Sequence, residues 1–285
     1  MSGSSAAGGL LRAAVIGLAA GAATAVAMRL RTRAEERFPQ LVRTNHAGNP
    51  VSLAEGPVVA GGLLIAAAGV PGASARTAAI AAVGAAGALG AVDDFAERGA
   101  SKGLRGHLGA LRRGEVTTGA LKVLGIPAAS VAAAALLRTN ARTPLGRLAD
   151  AVLAGGVIAG TANLLNLLDL RPGRALKAGL VLVAAQEALD SRTAHAGSRA
   201  LGGGVLGVAA AALPDDLRGE TMLGDAGANA LGAAIGLRSA LTASRPRLVC
   251  ELAALAALTL ASERISFTRV IEQTPGLREL DALGR

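Results

Sequence analysis

Long apolar runs separated by short charged loops fill most of the chain. The run at 13–28, AAVIGLAAGAATAVAM, is apolar on every side, whereas a helix on the surface of a soluble protein keeps one polar face. About 20 apolar residues in a helix cross the hydrocarbon core of a membrane, so the pattern predicts an all-α, polytopic membrane helical bundle. We predict about nine transmembrane helices, at 9–28, 52–70, 76–92, 117–137, 148–168, 175–190, 199–214, 222–241 and 247–262.

The whole chain, 1–285, is predicted to form a single integral membrane domain with a basic cytoplasmic tail at 262–285. The first apolar run is interpreted as a retained span, because its basic cluster follows the run, whereas a signal peptide carries its basic residues first. With the N-terminus outside, the loops that face the cytoplasm hold the larger share of Lys and Arg, which is the usual bias of membrane proteins. We therefore expect a multi-pass protein of the cell membrane with its N-terminus outside and its C-terminus cytoplasmic.

The composition is typical of a membrane protein and indicates which classes of partner it binds. Hydrophobic residues make up 52% of the chain, the mean hydropathy is +0.47, and the formal net charge is +9. The chain has no Trp or Tyr and no basic region interleaved with aromatic residues, so the positive charge indicates anionic lipid and anionic substrates, not nucleic acid. Cys250 is the only cysteine, which excludes an internal disulfide.

Four polar stretches interrupt this apolar pattern, and each falls at the predicted cytoplasmic end of a span. Because they come from distant parts of the chain yet share one membrane face, we expect them to form a common cleft. They read NHAGNPVSLAEG, VDDFAERGASKGL, NLLNLLDLRPGR and MLGDAGANALG.

Two adjacent acids, Asp93 and Asp94, end the third predicted span. Carboxylates at a helix C-terminus oppose the helix dipole and repel each other. A metal ion or a basic group should therefore compensate them, unless they are two solvated loop acids.

Asp225 lies where the eighth predicted span begins. It can act as a helix N-cap, a position that Asp fills well, or as a metal ligand at the membrane surface. Gly224 and Gly227 flank it, and glycine allows backbone or a phosphate group to approach closely.

Asn163, Asn166 and Asp169 recur every three residues at the end of an apolar helix. At this spacing the three side chains share one flank of the helix. Such residues can bond neighbouring helices, yet polar residues inside spans are also candidates for a functional site. Lys122, a charged residue inside a span, also has two interpretations. It can extend to the membrane surface or neutralise a phosphate.

Taken together, these acids predict a Mg²⁺ site on the cytoplasmic face. Mg²⁺ prefers one or two carboxylates together with water and substrate phosphate oxygens. Carboxylates, amides, lysine and glycine in this setting suit phosphoryl transfer between a nucleotide-linked group and a lipid phosphate.

The order of the motifs resembles the polyprenyl-phosphate sugar-1-phosphate transferases of glycosyltransferase family 4. This family includes the phospho-MurNAc-pentapeptide transferase of peptidoglycan synthesis and the GlcNAc-1-phosphate transferases of other envelope polymers. The resemblance covers residues 40–240. AVDDFAERGASKGL is similar to the Asp-Asp motif of the family, NLLNLLDL to its Asn-x-x-Asn-x-x-Asp motif, and MLGDAGANALGAAIG to its Met-Gly-Asp-x-Gly-Ser motif.

The resemblance implies an enzyme of cell wall biogenesis, a phosphoglycosyltransferase. It would move a sugar-1-phosphate from a UDP-sugar to a polyprenyl phosphate, release UMP and require Mg²⁺. Asp225 would be the metal ligand, and Asp93 the base on the lipid phosphate with Asp94 beside it. Asp169 and Asn166 would shape the metal and nucleotide site.

Two lysines, Lys102 and Lys122, would face phosphates by the same resemblance. The chain also departs from the family pattern, since DLRPGR lacks a second aspartate and NPVSLAEG lacks the usual Lys or Arg. These departures leave open a catalytically weakened homologue that binds lipid phosphate and acts as an envelope-assembly partner. The polar residues inside the spans, taken alone, would also permit a transporter. Assembly into a homodimer is possible as well.

Overall fold

A computed structural model describes residues 3–44, 48–96, 118–190 and 195–285 of the protein. Its helices are α1 (Gly3–Arg29), α2 (Arg31–Arg37), α3 (Glu55–Ala68), α4 (Ala73–Ala96), α5 (Thr118–Ala135), α6 (Pro144–Leu168), α7 (Arg174–Asp190), α8 (Ala196–Leu217), α9 (Gly224–Ala240), α10 (Arg245–Ser262), α11 (Phe267–Gln273) and α12 (Leu277–Ala282). A 3-10 turn at Pro39–Leu41 precedes a hairpin of β1 (Val42–Thr44) and β2 (Pro50–Ser52).

The all-α class predicted from the sequence is confirmed. Within the described ranges, five helical segments are long and apolar enough to cross a membrane: Ala7–Arg29, Ala73–Phe95, Thr118–Ala135, Pro144–Leu168 and Ala196–Leu217. They indicate a membrane protein, and α3 is apolar but shorter. Each of the nine predicted spans overlaps a helix, α3 included, while the number of helices that cross the membrane stays a prediction.

Small residues allow α1 and α8 to pack in direct backbone contact. A Cβ atom added at Gly17 or Gly21 of α1 would collide with the backbone of Gly203 or Gly207 of α8, and a Cβ at Gly203 or Gly207 would collide with the backbone of Ala13 or Gly17. Pairs of small residues four apart support close helix packing in membranes. The glycines of the first apolar run therefore dock this helix onto the bundle.

Helix α9 is the centre of the bundle and packs against α3, α4, α6, α7 and α8. It is buried along nearly its whole length. A Cβ at Gly236 would lie 2.6 Å from Cα of Ile158 in α6, and a Cβ at Gly90 of α4 would meet the backbone of Asp225. Close backbone packing thus holds the start of α9 against the end of α4.

Successive long helices alternate in direction, and one end of the bundle collects most of the acidic motifs. There α3, α5, α7 and α9 begin, and α4, α6 and α8 finish, as the side-chain contacts across them show. We call it the acidic end and define it by Glu55, Asp93, Asp169, Asp216 and Asp225.

The opposite end has its own ion pairs. Arg238 of α9 is fully buried and binds Glu187 of α7, while Arg247 contacts Asp190 at 2.5 Å. These buried charges are paired, as a low-dielectric interior requires.

The β-hairpin connects two of the polar stretches. The Ser52 N–H donates to the Glu220 carbonyl at 3.0 Å, and the Met222 N–H donates to the Ser52 carbonyl at 2.9 Å. The segment that leads into α3 therefore lies beside the segment that leads into α9.

The C-terminal tail folds back onto the start of α7. Arg174 binds both carboxylate oxygens of Asp281, at 2.7 and 3.1 Å. Lys177 Nζ donates to the carbonyls of Leu280, Asp281 and Leu283. A lysine placed on the last carbonyls of a helix is a favourable cap, so the first turn of α7 binds the tail.

Candidate functional site

A lysine and two carboxylates form the centre of the acidic end. Lys122 Nζ of α5 lies 2.6 Å from Oδ2 of Asp93 in α4, and it also donates to Oδ2 of Asp225 in α9. The two carboxylates are themselves within hydrogen-bonding distance of each other. Asp93 is only 8% exposed, so it is not a solvated loop acid. The basic group that the adjacent acids required is Lys122.

Asp94 binds backbone N–H groups, whereas Asp93 binds Lys122. Its Oδ1 accepts the backbone N–H of Asp225 at 3.0 Å, and its Oδ2 accepts the N–H of Ala226 at 2.9 Å. The carboxylate thus satisfies two of the unpaired donors at the start of α9 and lies at the positive end of the helix dipole. Gly224 has φ +57°, and a Cβ there would lie 3.0 Å from both Asp94 oxygens. Glycine is therefore needed for the carboxylate to come this close.

The N-cap interpretation of Asp225 is wrong. Helix α9 begins at Gly224 with Leu223 in the N-cap position, and among the described residues the Leu223 position supplies no side-chain cap. The capping carboxylate comes from Asp94, on another helix. Asp225 directs its own carboxylate to Lys122 instead.

Asp169 also holds the start of α9. It is the C-cap of α6, and its carboxylate accepts the N–H of Gly224. Burial raises the pKa of Asp169 well above its usual range, and the negative charge of Asp216 raises it further. Within the part of the chain that the structure describes, its Oδ2 has no hydrogen-bond partner. Carboxylates from α4 and α6 thus meet at one helix N-terminus.

The asparagines of the polar stripe have other contacts. The Asn163 amide donates to Thr259 Oγ1 of α10 at 3.0 Å. Asn163 thus bonds a neighbouring helix, which was one of the two interpretations of the stripe. The Asn166 carbonyl accepts the N–H of Asp169 at 3.2 Å, and its side chain is partly buried. The last member of the stripe, Asp169, contacts the start of α9, and a substrate role for the asparagines stays a prediction.

The remaining predicted residues differ in what surrounds them. A Cβ at Gly227 would lie 3.0 Å from Cα of Gly56 in α3, so this glycine allows α3 to approach closely, and a phosphate contact there stays a prediction. Lys102 falls outside the residues that the structure describes.

Two further residues belong to the site and were not selected from the sequence. The Arg43 guanidinium donates to the Asp94 carbonyl at 2.5 Å. Glu55 is 0% exposed at the start of α3. It is the only Asp, Glu, Lys or Arg between Arg43 and Arg76, and a lone acid that opens an apolar helix was the signal that could have found it.

The donor set at the centre of the site fits a hard divalent cation. Carboxylate oxygens suit Mg²⁺, which needs only one or two of them when water and phosphate oxygens complete its octahedron. Asp93 and Asp225 supply that number. Across 3–44, 48–96, 118–190 and 195–285, no group of three or more His, Cys, Asp and Glu could hold a metal between them. Two carboxylates would leave the other positions around such a cation to water and phosphate oxygens.

The sequence was also compared with known proteins. No family model matches the chain, and no curated protein matches it. The transferase resemblance consequently rests on the three motifs and on the geometry of the residues within them.

Proposed function

We propose that the protein is a Mg²⁺-dependent membrane transferase that moves a sugar-1-phosphate from a UDP-sugar to a polyprenyl phosphate. One observation carries the proposal. Asp93, Asp94, Asp169 and Asp225, drawn from three separate motifs, meet around the first turn of α9, with Lys122 among them. A purely structural bundle gains little from gathering four acids where helix ends meet, because like charges repel.

The reaction is a phosphoryl transfer whose atoms balance without a further reagent. An oxygen of the lipid phosphate attacks the β-phosphorus of the UDP-sugar and forms the new P–O bond. The bond from that phosphorus to the bridging oxygen breaks, and UMP leaves with the electron pair. Mg²⁺, when bound, supplies positive charge for the pyrophosphate oxygens.

The residues divide this work between them. Asp225 would hold Mg²⁺, and Asp93 would take the proton that a lipid phosphate still carries. Lys122 reaches both carboxylates and would turn to a phosphate oxygen when Mg²⁺ replaces it. Asp94 and Asp169 are positioning residues, because they fix the helix N-terminus that carries Asp225.

A catalytically weakened homologue that binds lipid phosphate is the second candidate. Two basic residues that could hold a polyanionic substrate, Arg174 and Lys177, bind the tail. This contact favours the weakened homologue. The absence of a second aspartate from DLRPGR favours it too.

UMP release distinguishes the two candidates. Purified protein in detergent is incubated with Mg²⁺, a polyprenyl phosphate and a panel of UDP-sugars. The transferase releases UMP with at least one donor, and Asp225→Asn or chelation of Mg²⁺ abolishes the release. Lipid-phosphate binding without UMP from any donor would establish the weakened homologue instead.

A further inference from the structure

The C-terminal tail, 267–285, covers two buried cations at the start of α7. Arg174 is 4% and Lys177 9% exposed. The Arg174 guanidinium donates to both carboxylate oxygens of Asp281 and to Thr268 Oγ1 at 2.9 Å. Lys177 Nζ donates to three tail carbonyls, that of Asp281 at 2.5 Å. The tail therefore supplies the oxygens that these two cations bind.

The position of the two cations favours an anion. Both belong to the first turn of α7, where the positive end of the helix dipole adds to their own charge. A buried charge also needs a partner, because burial without one is costly. Asp281 provides the carboxylate, so movement of the tail away from Arg174 requires another anion in its place.

Polar contacts, more than apolar burial, hold the tail. Helices α11 and α12 have seven and six residues, and isolated helices this short are marginal in water. Every residue of both helices lies in the described part of the chain, and none of them is buried. The loss of a few polar contacts should therefore release the whole segment.

An apolar cavity of about 360 Å³ lies between the tail and the bundle, beside the two cations. Its walls come from α6, α7, α10 and the tail, and Arg174, Lys177 and Asp281 also line it. Val181 and Leu258, two of its lining residues, are 51% and 41% exposed. The cavity thus reaches the outer surface of the bundle, which faces lipid chains in a membrane. Apolar walls beside two cations match an amphiphile with an anionic head group.

We propose that Arg174 and Lys177 form a binding site for the phosphate group of an anionic membrane lipid, and that the docked tail blocks this site. A guanidinium binds carboxylate and phosphate in the same two-point geometry, so Asp281 lies where the phosphate would bind. The lipid chain would enter the apolar cavity. Because Arg174 cannot bind both anions in this way, the lipid favours the state in which the tail is released.

Release of the tail would also affect the acidic end. Helix α7 begins there, so the docked tail keeps both cations from phosphate groups bound at that end. The tail would then inhibit the transferase, and an anionic lipid would activate it. This consequence rests on the proposed function, whereas the lipid site and the release of the tail do not.

Limited trypsin digestion of the full-length protein in lipid nanodiscs tests the release of the tail. The bonds after Arg269 and Arg278 lie in the tail, and their cleavage requires local opening of the structure. Mass spectrometry should find this cleavage several-fold faster in nanodiscs that contain phosphatidylglycerol than in nanodiscs of phosphatidylcholine alone. Soluble inorganic phosphate added to phosphatidylcholine nanodiscs should have little effect, since it has no chain to enter the cavity.

Two variants break the same ion pair from opposite sides. Asp281→Asn removes the blocking carboxylate, so the tail should be cleaved rapidly in both lipids, and native mass spectrometry should show more retained phosphatidylglycerol. Arg174→Gln removes the cation for the phosphate, so cleavage should no longer depend on the lipid and less phosphatidylglycerol should be retained. Arg171→Gln is the matched control, because it removes the same charge from a nearby residue that is about half exposed. It should keep the lipid response.

A purely structural ion pair predicts that Asp281→Asn and Arg174→Gln retain the same amount of phosphatidylglycerol, and that result overturns the proposal. Equal cleavage of the wild-type tail in the two lipids overturns it as well. So does a release by soluble phosphate as large as the release by the lipid. These readouts do not measure UMP release, so the lipid site and the transferase assignment can fail separately.

Discussion

At the scale of single residues, Asp94 and Asp225 show how tertiary contacts assign different roles to similar side chains. The two are 131 residues apart in the chain, yet the carboxylate of one caps the helix that carries the other. An acid in the first turn of a helix is a good cap from local rules alone. In this protein a neighbouring helix provides the cap, which leaves Asp225 facing Lys122.

Asp94→Ala should lower the free energy of unfolding by about 1–2 kcal/mol, because α9 loses the carboxylate that holds two of its first N–H groups. Asp94→Asn should lose less, since Asn also caps well. Asp225→Asn should change stability little and abolish Mg²⁺-dependent turnover. Melting temperature and UMP release measure the two effects. Equal loss of stability in Asp94→Ala and Asp225→Asn would contradict these roles.

Lys122 competes with a metal for Asp93 and Asp225. Lys122→Met keeps the length of the side chain and removes its charge, so it should bind Mg²⁺ more tightly in the absence of substrate. It should also weaken the binding of donor or lipid phosphate, because a cation for phosphate is lost. Calorimetric titration of Mg²⁺ and of each ligand checks both directions. Unchanged affinity for all three would mean that Lys122 only extends to the membrane surface.

At the scale of elements, glycines determine which helices can meet. The contact of α1 with α8 and the contact of α9 with α4 both depend on positions where a Cβ would collide with backbone. In lipid the hydrophobic effect does not drive helices together, so close packing contributes most of their association. The positions of the acidic motifs consequently depend on glycines, which have no functional side chain.

Gly207→Ala should lower the melting temperature, since its Cβ would collide with the backbone of Gly17. Gly61→Ala is the matched control, because a Cβ there meets nothing within 4 Å. Alanine favours helix over glycine by about 1 kcal/mol, so the control should melt at the same or a higher temperature. Thermal unfolding in detergent compares the pair, and a similar decrease in both would refute the packing argument.

The tail helices are held by a buried ion pair. Burial opposes ionisation of Asp281, but hydrogen bonds from Arg174 and Arg285 outweigh it and lower the pKa of Asp281 to about 2. A lowered pKa stabilises the docked tail above the unfolded value of about 4, and this contribution is lost only as the pH falls towards 2. The contribution of this ion pair is therefore constant throughout the physiological pH range.

Asp281→Ala should cost about 3 kcal/mol, because it leaves the Arg174 charge buried without its partner. Glu272→Ala removes a pair with Arg171 whose side chains are about half exposed, and it should cost less than about 1 kcal/mol. Protease susceptibility of 267–285 together with melting temperature measures the difference. Comparable behaviour of the two variants would show that the buried pair does not hold the tail.

At the scale of the whole molecule, the alternating helices place most of the acidic motifs at one end. The predicted topology puts that end in the cytoplasm, where nucleotide-linked donors are made available. Arg285 contacts Asp281 at the acidic end, while 136–143 joins the far ends of α5 and α6.

A reporter fused after Arg285 should therefore be cytoplasmic, and one inserted near Arg142 should be external. Paired reporters that are active only inside or only outside the cell measure this directly. If both sites report the same side, the alternating nine-span topology is wrong.

The sequence by itself determined the helical class, the apolar segments and which acids are candidate site residues. Apolar runs and their breaks are local properties, and a run of suitable length becomes a helix in a membrane whatever surrounds it. The ends of most predicted spans consequently lie within a few residues of the helix ends.

Only the tertiary structure decided which polar group each acid meets. Asn163 and Asp169 share one stripe, yet the first binds α10 and the second binds the start of α9, because these helices pack on different sides of α6. Lys122 and Asp225 are 103 residues apart, and local patterns do not record contacts across such distances. Glu55 became notable only when folding buried it, because burial is a property of the assembled bundle and not of the residues beside it in the chain.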